Sequence, residues 1–144
     1  MHKVKVLLRR RELISASPGE TVIEVARKMD AARVGAVPVL DGRSLVGVFS
    51  ERDLMTRVVV PGRDPEEVRV SEVMSGDVIT AHVDERRSEC LEKMRKAGCR
   101  HLPVLEDGEV VAMLSMRDLL RDEIEEQEEE IESLRAYLQL DPTI

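Results

Sequence analysis

The sequence contains Ser50-Glu51-Arg52-Asp53-Leu54 and, 65 residues later, Ser115-Met116-Arg117-Asp118-Leu119. Sliding the chain by that distance aligns the region around both stretches without a gap. Of the 41 positions from Ile14 to Leu54, 15 are identical to their counterparts between Ile79 and Leu119. This agreement indicates two copies of one unit, with a period longer than that of short solenoid repeats.

Both copies have the same predicted order of elements, which is strand, helix, strand, strand, helix. The first strand is predicted over Leu13 to Ala16 and again over Val78 to Ala81. In copy one, Thr21 followed by Glu24 is typical of a capping box at a helix start. The apolar stripe of this helix is Val22, Val25, Ala26 and Met29.

The first helix of copy two has a different start. We expect Asp84 to cap it. Its predicted apolar stripe is Cys90, Leu91, Met94 and Ala97.

Two Asp-Gly pairs, Asp41-Gly42 and Asp107-Gly108, separate short apolar runs, and this pattern is typical of a β-hairpin. The runs are Ala36 to Leu40, Leu45 to Phe49, His101 to Leu105 and Val110 to Leu114. The sequence therefore predicts an α/β (α+β) fold of two β-α-β-β-α repeats and a C-terminal helix. The predicted limits are repeat 1 at 1–62, a linker at 63–69, repeat 2 at 70–124 and an acidic helix at 125–144.

Composition narrows the classes of function. Hydrophobic residues are 42% of the chain and aromatic residues 1%, so the core must be aliphatic. The net charge of -7 and the scarcity of aromatic rings argue against nucleic-acid binding. A basic N-terminal run, from Lys3 to Arg11, is explained more simply as solvated surface. Since no apolar run approaches the ~18 residues of a membrane span, we predict a cytoplasmic protein without membrane association.

Catalytic and metal-binding patterns are missing from the sequence. Cys90 and Cys99 form no CxxC motif, and Cys90 falls on an apolar helix face. Cys99 and His101 lack the third and fourth ligands of a zinc site. The sequence has no phosphate-binding glycine loop and no nucleophile with a positioned base, so we predict that the protein is not an enzyme.

The repeated Ser-x-Arg-Asp-Leu stretch allows two interpretations. Each serine caps a helix, and the first free amides of that helix attract an anion. Arg52 and Arg117 offer a fork suited to phosphate oxygens, while Asp53 and Asp118 can accept hydrogen bonds from a diol such as ribose. Alternatively the serine is only a cap, the aspartate only complements the helix dipole, and the leucine only packs. Recurrence alone does not decide, because a repeated fold also repeats its caps.

The chain resembles a tandem pair of CBS domains, the regulatory unit named after cystathionine β-synthase and also called a Bateman module. The resemblance covers roughly Val4 to Ile124. It is carried by Thr21-Val22-x-Glu24-Val25-Ala26, Ala36-Val37-Pro38-Val39, Leu102-Pro103-Val104, Val46-Gly47-Val48-Phe49-Ser50-x-x-Asp53 and Val78-Ile79-Thr80.

This resemblance implies a regulatory module with two clefts for adenosine-containing ligands, namely AMP, ADP or ATP, with S-adenosylmethionine and NAD(H) as further candidates. No cofactor is implied. Carried across residue by residue, the resemblance assigns the ribose hydroxyls to Asp53 and Asp118, and the ribose or phosphate to Ser50, Arg52, Ser115 and Arg117. It assigns the adenine edge to Ser15, Ala16, Thr80 and Ala81, and the base pocket to Ala36, Val37, His101 and Leu102.

The two clefts are expected to differ. Arg100 and His101 make the second cleft more cationic, which favours a multiply charged phosphate chain there. The glycine usual in the last strand of such domains is Gly47 in copy one but Ala112 in copy two. We expect the extra methyl group to narrow the second cleft.

The C-terminal segment carries a heptad pattern, with apolar residues alternating at spacings of four and three. Its positions are Leu120, Ile124, Gln127, Ile131, Leu134 and Leu138. We interpret it as a helix that holds a partner subunit or the other repeat, consistent with a homodimer and a regulated protein partner. The alternatives are an amphipathic helix packed on its own domain and, for the whole chain, an interaction protein whose clefts are vestigial.

Overall fold

Two similar units make up the fold, and the structure, a computed structural model, describes residues 2–8 and 12–140. Arg9, Arg10 and Arg11 of the basic N-terminal run lie outside the described residues. The elements are α1 (Val4–Leu7), α2 (Val22–Ala32), β1 (Ala36–Asp41), β2 (Ser44–Ser50), α3 (Glu51–Asp53), a π-helical continuation of α3 (Leu54–Val59), α4 (Val70–Val73), β3 (Ala81–His82), α5 (Arg87–Ala97), β4 (His101–Glu106), β5 (Glu109–Ser115) and α6 (Met116–Leu140).

Helix α2 begins as the sequence predicts. The backbone N–H of Glu24 donates to Thr21 Oγ1 at 3.3 Å, and the N–H of Thr21 donates to Glu24 Oε2 at 3.1 Å, which completes the capping box. Val22, Val25 and Met29 of the predicted stripe are buried, whereas Ala26 is only partly buried.

Helix α5 differs from its prediction at both ends. It begins at Arg87, and the N–H of Arg86 donates to Glu89, so Asp84 is not the cap. Asp84 lies too early because a turn separates it from the helix, and its own N–H donates to His82 Nδ1 at 3.1 Å. Ala97, at the last position of α5, is exposed because the helix ends there and turns away through Gly98, which has a φ of 67°.

Both predicted hairpins are confirmed. Strands β1 and β2 pair antiparallel, and β4 and β5 pair in the same way. Each pair shows a register shift at its equivalent position. In the second hairpin Asp107 and Gly108 both have positive φ, 52° and 78°, as a tight turn between twisted strands requires.

The first strand of each copy is shorter than predicted. In copy one only Ala16 pairs, through a single parallel bridge to Val39, and Leu13 to Ser15 are not strand. In copy two the strand is Ala81–His82 rather than Val78 to Ala81. The Pro18-Gly19 turn ends the pairing in copy one after that bridge, so the apolar pattern overestimates the strand.

The short helices α1 and α4 are exchanged between the units. The N–H of Val70 in α4 donates to Glu20 O in copy one at 2.9 Å, and the N–H of Val4 in α1 donates to Glu85 O in copy two at 2.9 Å. Glu20 and Glu85 are 65 positions apart, so the two contacts are equivalent. Each unit is therefore completed by the segment that precedes the other unit.

Each unit has its own aliphatic core. Phe49, fully buried, packs with Val37 and Val39 in copy one, and Leu102 packs with Leu114 and Leu119 in copy two. Strands β1 and β2 contact β5 across the boundary between units. The prediction of two repeats packed through their sheets is therefore confirmed.

Gly47 in β2 allows a close approach by the segment after α4. A Cβ at this position would lie 2.5 Å from Met74 Sδ and 3.0 Å from the backbone oxygen of Ser75. Its counterpart Ala112 is buried in the core of copy two. The glycine therefore has a packing role, and the difference between copies does not require a narrower second cleft.

We expect Gly47→Ala to lower the free energy of unfolding by about 1–3 kcal/mol, because the methyl group overpacks this contact. Urea unfolding measures the change. Gly76→Ala is the matched control, since a Cβ at Gly76 would meet nothing within 4 Å. Equal unfolding midpoints for the two variants would show that the contact is looser than the structure indicates.

Helix α6 runs without a break from the second serine cap to Leu140, so the helix predicted over 125–144 continues the last helix of repeat 2. Residues 141–144 lie outside the described part of the chain. Every residue from 127 to 139 is exposed. This part of α6 does not pack on its own domain, and that alternative is therefore wrong.

Candidate functional site

The first candidate site is built on the cap of α3. The N–H of Asp53 donates to Ser50 Oγ at 3.2 Å, and the backbone N–H and hydroxyl of Ser50 both lie 3.0 Å from Asp53 Oδ2. This arrangement fixes the carboxylate at the end of β2. Asp53 is only 8% exposed, so a ligand would meet it as a rigid acceptor.

The other oxygen of Asp53 faces two donors. Ser75 Oγ lies 3.4 Å from Oδ1, and Arg57 Nε lies 3.8 Å from it. Arg57 also donates to the backbone oxygens of Val73 and Met74. The sequence-based prediction included neither residue. The i, i+4 spacing of Asp53 and Arg57 on a predicted helix was a signal that could have found the arginine, whereas Ser75 reaches Asp53 only through the fold.

The second candidate site repeats the cap at the start of α6. The N–H of Ser115 donates to Asp118 Oδ2 at 3.0 Å, and the N–H of Asp118 donates to Ser115 Oγ at 3.1 Å. A depression of about 290 Å³ lies beside this cap, between α1 and α6. Its lining residues are His2, Val6, Leu7, Asp118, Arg121, Asp122 and Glu125.

Arg52 and Arg117 stand at equivalent positions beside the two caps, and both are exposed. Within residues 2–8 and 12–140, neither guanidinium group has a hydrogen-bonding or ion-pair partner. A guanidinium without a protein partner is suited to phosphate oxygens. These two arginines therefore have the placement expected of ligand-binding cations.

The predicted free helix amides are largely occupied, because the N–H of Glu51 donates to Gly35 O, the N–H of Met116 donates to Arg100 O, and the amides of Asp53 and Asp118 donate to the cap serines.

The strands bring some of the predicted base-pocket residues to the caps. Ala36 lies directly opposite Ser50 in the first hairpin, and His101 lies opposite Ser115 in the second. The side chains of Ala36, Val37 and Leu102 are buried, with 1%, 1% and 0% exposure, whereas His101 is partly exposed. The three buried side chains support the pocket wall from behind rather than lining open space.

The first-strand residues are held by a lysine and a glutamate that match between the copies. Lys28 Nζ donates to Ser15 O and to Glu20 Oε1, both at 2.8 Å. In copy two the equivalent lysine donates to the backbone oxygen of Thr80 at 2.8 Å. The sequence showed this Glu–Lys match without a role for it. The structure shows that the pair fixes the backbone beside each cleft.

Ala16 and Ala81 lie in the sheets rather than at free backbone edges. The N–H of Ala16 donates to Pro38 O, and Ala16 O accepts from the N–H of Leu40. Ala81 pairs with Val104 in the parallel part of the second sheet. Both residues are buried, with 2% and 1% exposure. Contact with an adenine edge would therefore fall to the residues just before them.

Residues from both units meet around His101. A Cβ at Gly35 would lie 3.2 Å from Glu51 Oε1 and 3.4 Å from His101 Cε1. Burial lowers the pKa of His101, Arg100 lowers it further, and the carboxylates of Glu51 and Asp118 partly offset these effects. His101 is therefore held neutral between the repeats.

We expect the lowered pKa of His101 to make the free energy of unfolding depend on pH. A lowered folded-state pKa means that the unfolded chain binds the proton first, so stability falls as the pH drops below the ordinary histidine value of about 6.5. The free energy of unfolding continues to fall until the pH passes the folded-state pKa of His101. Urea unfolding of His101→Gln between pH 8 and 5 should show a shallower decline than wild type. His82→Gln, at an exposed histidine, is the control and should follow the wild-type curve.

The charges of the two clefts are less unequal than the sequence suggests. Arg100 and His101 belong to copy two, as predicted, and Arg100 is exposed. Arg57 adds a cation beside Asp53 in copy one, and the equivalent position in copy two is Asp122. Charge therefore no longer favours the second cleft alone.

A buried ion network lies beside the second cleft. Arg87 Nη1 contacts Asp122 Oδ2 at 2.8 Å and Glu126 Oε2 at 2.7 Å, and His2 Nδ1 lies 2.8 Å from Asp122 Oδ1. Burial disfavours the Arg87 cation, but its hydrogen bonds to Glu126 and Asp122 outweigh burial and raise its pKa. Because Arg87 bonds both carboxylates and His2 bonds Asp122, the His2–Asp122–Glu126 group is a structural clamp between the segment before α1 and helices α5 and α6.

Comparison with known proteins supports the division of the chain into two repeats. The CBS-domain family model matches residues 6–60 and again residues 70–125. The chain belongs to the CBS-domain family. The uncharacterized protein MK0525 from Methanopyrus kandleri is 36% identical to this CBS-domain chain over 116 residues, which cover 79% of this chain and 59% of that protein. The chain thus spans less than two thirds of that relative.

Two solved CBS-domain structures with bound ligands are similar to this chain. The CBS domain protein PAE2072 from Pyrobaculum aerophilum, complexed with AMP, is 29% identical with a TM-score of 0.74, over 81% of this chain and 89% of that one. The CBS domain pair of protein MJ0100, in complex with 5′-methylthioadenosine and S-adenosyl-L-methionine, is 26% identical with a TM-score of 0.74, over 83% and 94%.

The two cysteines of this CBS pair lie in or against the hydrophobic core of copy two. Cys90 is buried, as expected of a packing residue, and burial raises the pKa of its thiol to about 11. Cys99 packs against the core of copy two. None of the described helices is both long enough and apolar enough to cross a membrane.

Proposed function

We propose that this CBS pair is a regulatory module that binds adenosine-containing nucleotides of the AMP, ADP and ATP class in two clefts, one at each serine cap. The observation that carries the proposal is the repeated Ser–Asp cap, with an exposed arginine beside it that has no hydrogen-bonding or ion-pair partner among the described residues. CBS-domain proteins are typically regulatory modules rather than enzymes, and similar pairs hold AMP or S-adenosyl-L-methionine.

In this proposal Asp53 and Asp118 accept hydrogen bonds from the ribose hydroxyls. Their positions support this role, because each carboxylate is held rigidly by its serine and opens towards further donors. Arg52 and Arg117 would bind phosphate oxygens with Ser50 and Ser115. The base would contact Ser15, Thr80 and His101. The buried residues Ala16, Ala36, Val37, Ala81 and Leu102 would form the wall behind it.

The choice of cleft for a long phosphate chain is part of the proposal. Arg100 supports the second cleft, where His101 is neutral, and Arg57 supports the first. Arg57→Gln should weaken ATP binding more than adenosine binding if the first cleft holds the phosphates. An unchanged ATP affinity would assign them to the second cleft.

Ligand occupancy would act on the contact between the two repeats. Glu51, Gly35 and His101 meet across that contact, next to both caps. A ligand changes such an equilibrium only through different affinities for its two states. We accordingly propose a cytoplasmic homodimer whose geometry, or affinity for a regulated protein, follows the bound nucleotide, with no cofactor required.

The competing proposal is an interaction protein whose clefts bind nothing and which acts through α6. The exposed part of α6 favours it. A thermal-shift panel of AMP, ADP, ATP, S-adenosylmethionine and NAD(H) separates the two functions. A true ligand at a hundred times its Kd should add about 2.7 kcal/mol to the free energy of unfolding. If no adenosyl compound raises the unfolding temperature, the interaction-protein proposal replaces the sensor proposal.

A further inference from the structure

The distal part of α6 has no partner among the residues of its own chain that the structure describes. The helix contacts the rest of the domain as far as Glu126, which binds Arg87, and all residues from 127 to 139 are exposed. We call residues 127–139 the arm. An isolated helix of this length is marginal in water, because tertiary packing supplies most of the stability of short helices. The arm therefore gains little packing stability from the described residues of its own chain.

An apolar seam runs along α6 from its base to the arm. Its six positions are Leu120, Ile124, Gln127, Ile131, Leu134 and Leu138. The five apolar members are exposed by 45–63%. Their alternating spacing of four and three keeps them on one line when two helices supercoil.

We propose that α6 pairs with α6 of a second copy as a parallel, in-register two-stranded coiled coil along this seam. Gln127 supports the parallel orientation, because in-register pairing places it opposite the partner's Gln127, where the two amides can bond. Full antiparallel overlap would place Gln127 against the partner's Ile131 and leave a buried amide unpaired. Polar residues at such seam positions commonly set register and orientation.

Charges beside the seam point to the same orientation. In the parallel pair, Glu130 faces the partner's Arg135 on both sides, and Glu123 faces the partner's Glu128. Full antiparallel overlap would place Arg121 against the partner's Arg135, and would place both Glu128 and Glu130 against their own copies. Parallel pairing therefore has two attractive and two repulsive flanking pairs, whereas the antiparallel pairing has repulsive ones only.

Sedimentation equilibrium of the full chain tests the pairing. Wild type should dimerise, and Arg135→Glu should weaken the dimer about tenfold, because two attractive pairs become repulsive. The Glu130→Arg/Arg135→Glu double variant exchanges the charges and should restore the wild-type affinity. In an antiparallel dimer Arg135→Glu would instead tighten association through Arg121, so a tightened dimer overturns the proposal. A wild type that stays monomeric overturns it as well.

Cross-linking tests the register without relying on charge. Gln127→Cys should form a disulfide-linked dimer on mild oxidation, because the two residues face each other in the seam. Glu129→Cys, on the outer face of the same turn, is the matched control and should not cross-link. Equal cross-linking of the two variants would contradict an in-register seam. Neither experiment depends on nucleotide binding, so this proposal and the proposed function fail separately.

Discussion

Asp53→Asn and Asp118→Asn are each expected to weaken nucleotide binding in their own cleft roughly 10- to 100-fold while leaving the chain folded. Asparagine keeps an oxygen that can accept the serine N–H at 3.0 Å, so the helix cap survives. It loses the charge that strengthens the bonds from ribose hydroxyls. Hydrogen bonds to charged groups contribute about 1.5–3 kcal/mol, which corresponds to roughly a 10- to 100-fold weaker Kd at that cleft.

The control for these variants removes a cap away from the clefts. Glu24→Ala breaks the capping box of α2, where the glutamate accepts from the N–H of Thr21. It should cost about 1 kcal/mol of stability without changing the nucleotide affinity. If Glu24→Ala weakened binding as much as the aspartate variants do, the caps would act on the ligand only through overall stability.

Arg87→Met is expected to destabilise the fold by about 3 kcal/mol. Arg87 and Asp122 are each only 7% exposed, and removing the cation leaves a buried carboxylate without its main partner. Breaking a buried ion pair typically costs about 3–5 kcal/mol, and the lower value applies because Glu126 and His2 reach the surface. Urea unfolding at pH 7 measures the loss.

In the first copy an apolar residue occupies the position of Arg87. This residue is Val22, which is fully buried. The Arg87→Met/Asp122→Leu double variant should therefore recover most of the lost stability, since apolar residues of similar volume often replace buried ion pairs at little cost. Arg95→Met, which removes an exposed partner of Glu92 on the same helix, should leave the unfolding midpoint unchanged. A double variant no more stable than Arg87→Met would contradict this account of the network.

The repeat, the hairpins and the serine caps were predictable because they depend on local patterns. Asp107-Gly108, Thr21 with Glu24, and Ser50 with Asp53 each determine a structure within four residues. Local patterns do not limit strand length, and the pairing of the first strand was accordingly overestimated.

Contacts that depend on the folded chain were not predictable. The exchange of α1 and α4 joins residues more than 45 positions apart, and Ser75 reaches Asp53 from 22 positions away. The Lys28 match was visible as an identity between copies, yet its partner Ser15 O is a backbone atom that no side-chain pattern reveals. The Arg87 network was not predictable from the repeat, because it exists in copy two only.

Isothermal titration of the nucleotide chosen by the thermal-shift panel, into wild type and into Asp53→Asn/Asp118→Asn, tests the central claim most directly. The account predicts binding at up to two sites per wild-type chain and binding roughly 10- to 100-fold weaker at each site of the double variant. Undiminished binding by the double variant, or a wild type that binds no adenosine-containing compound, would contradict it.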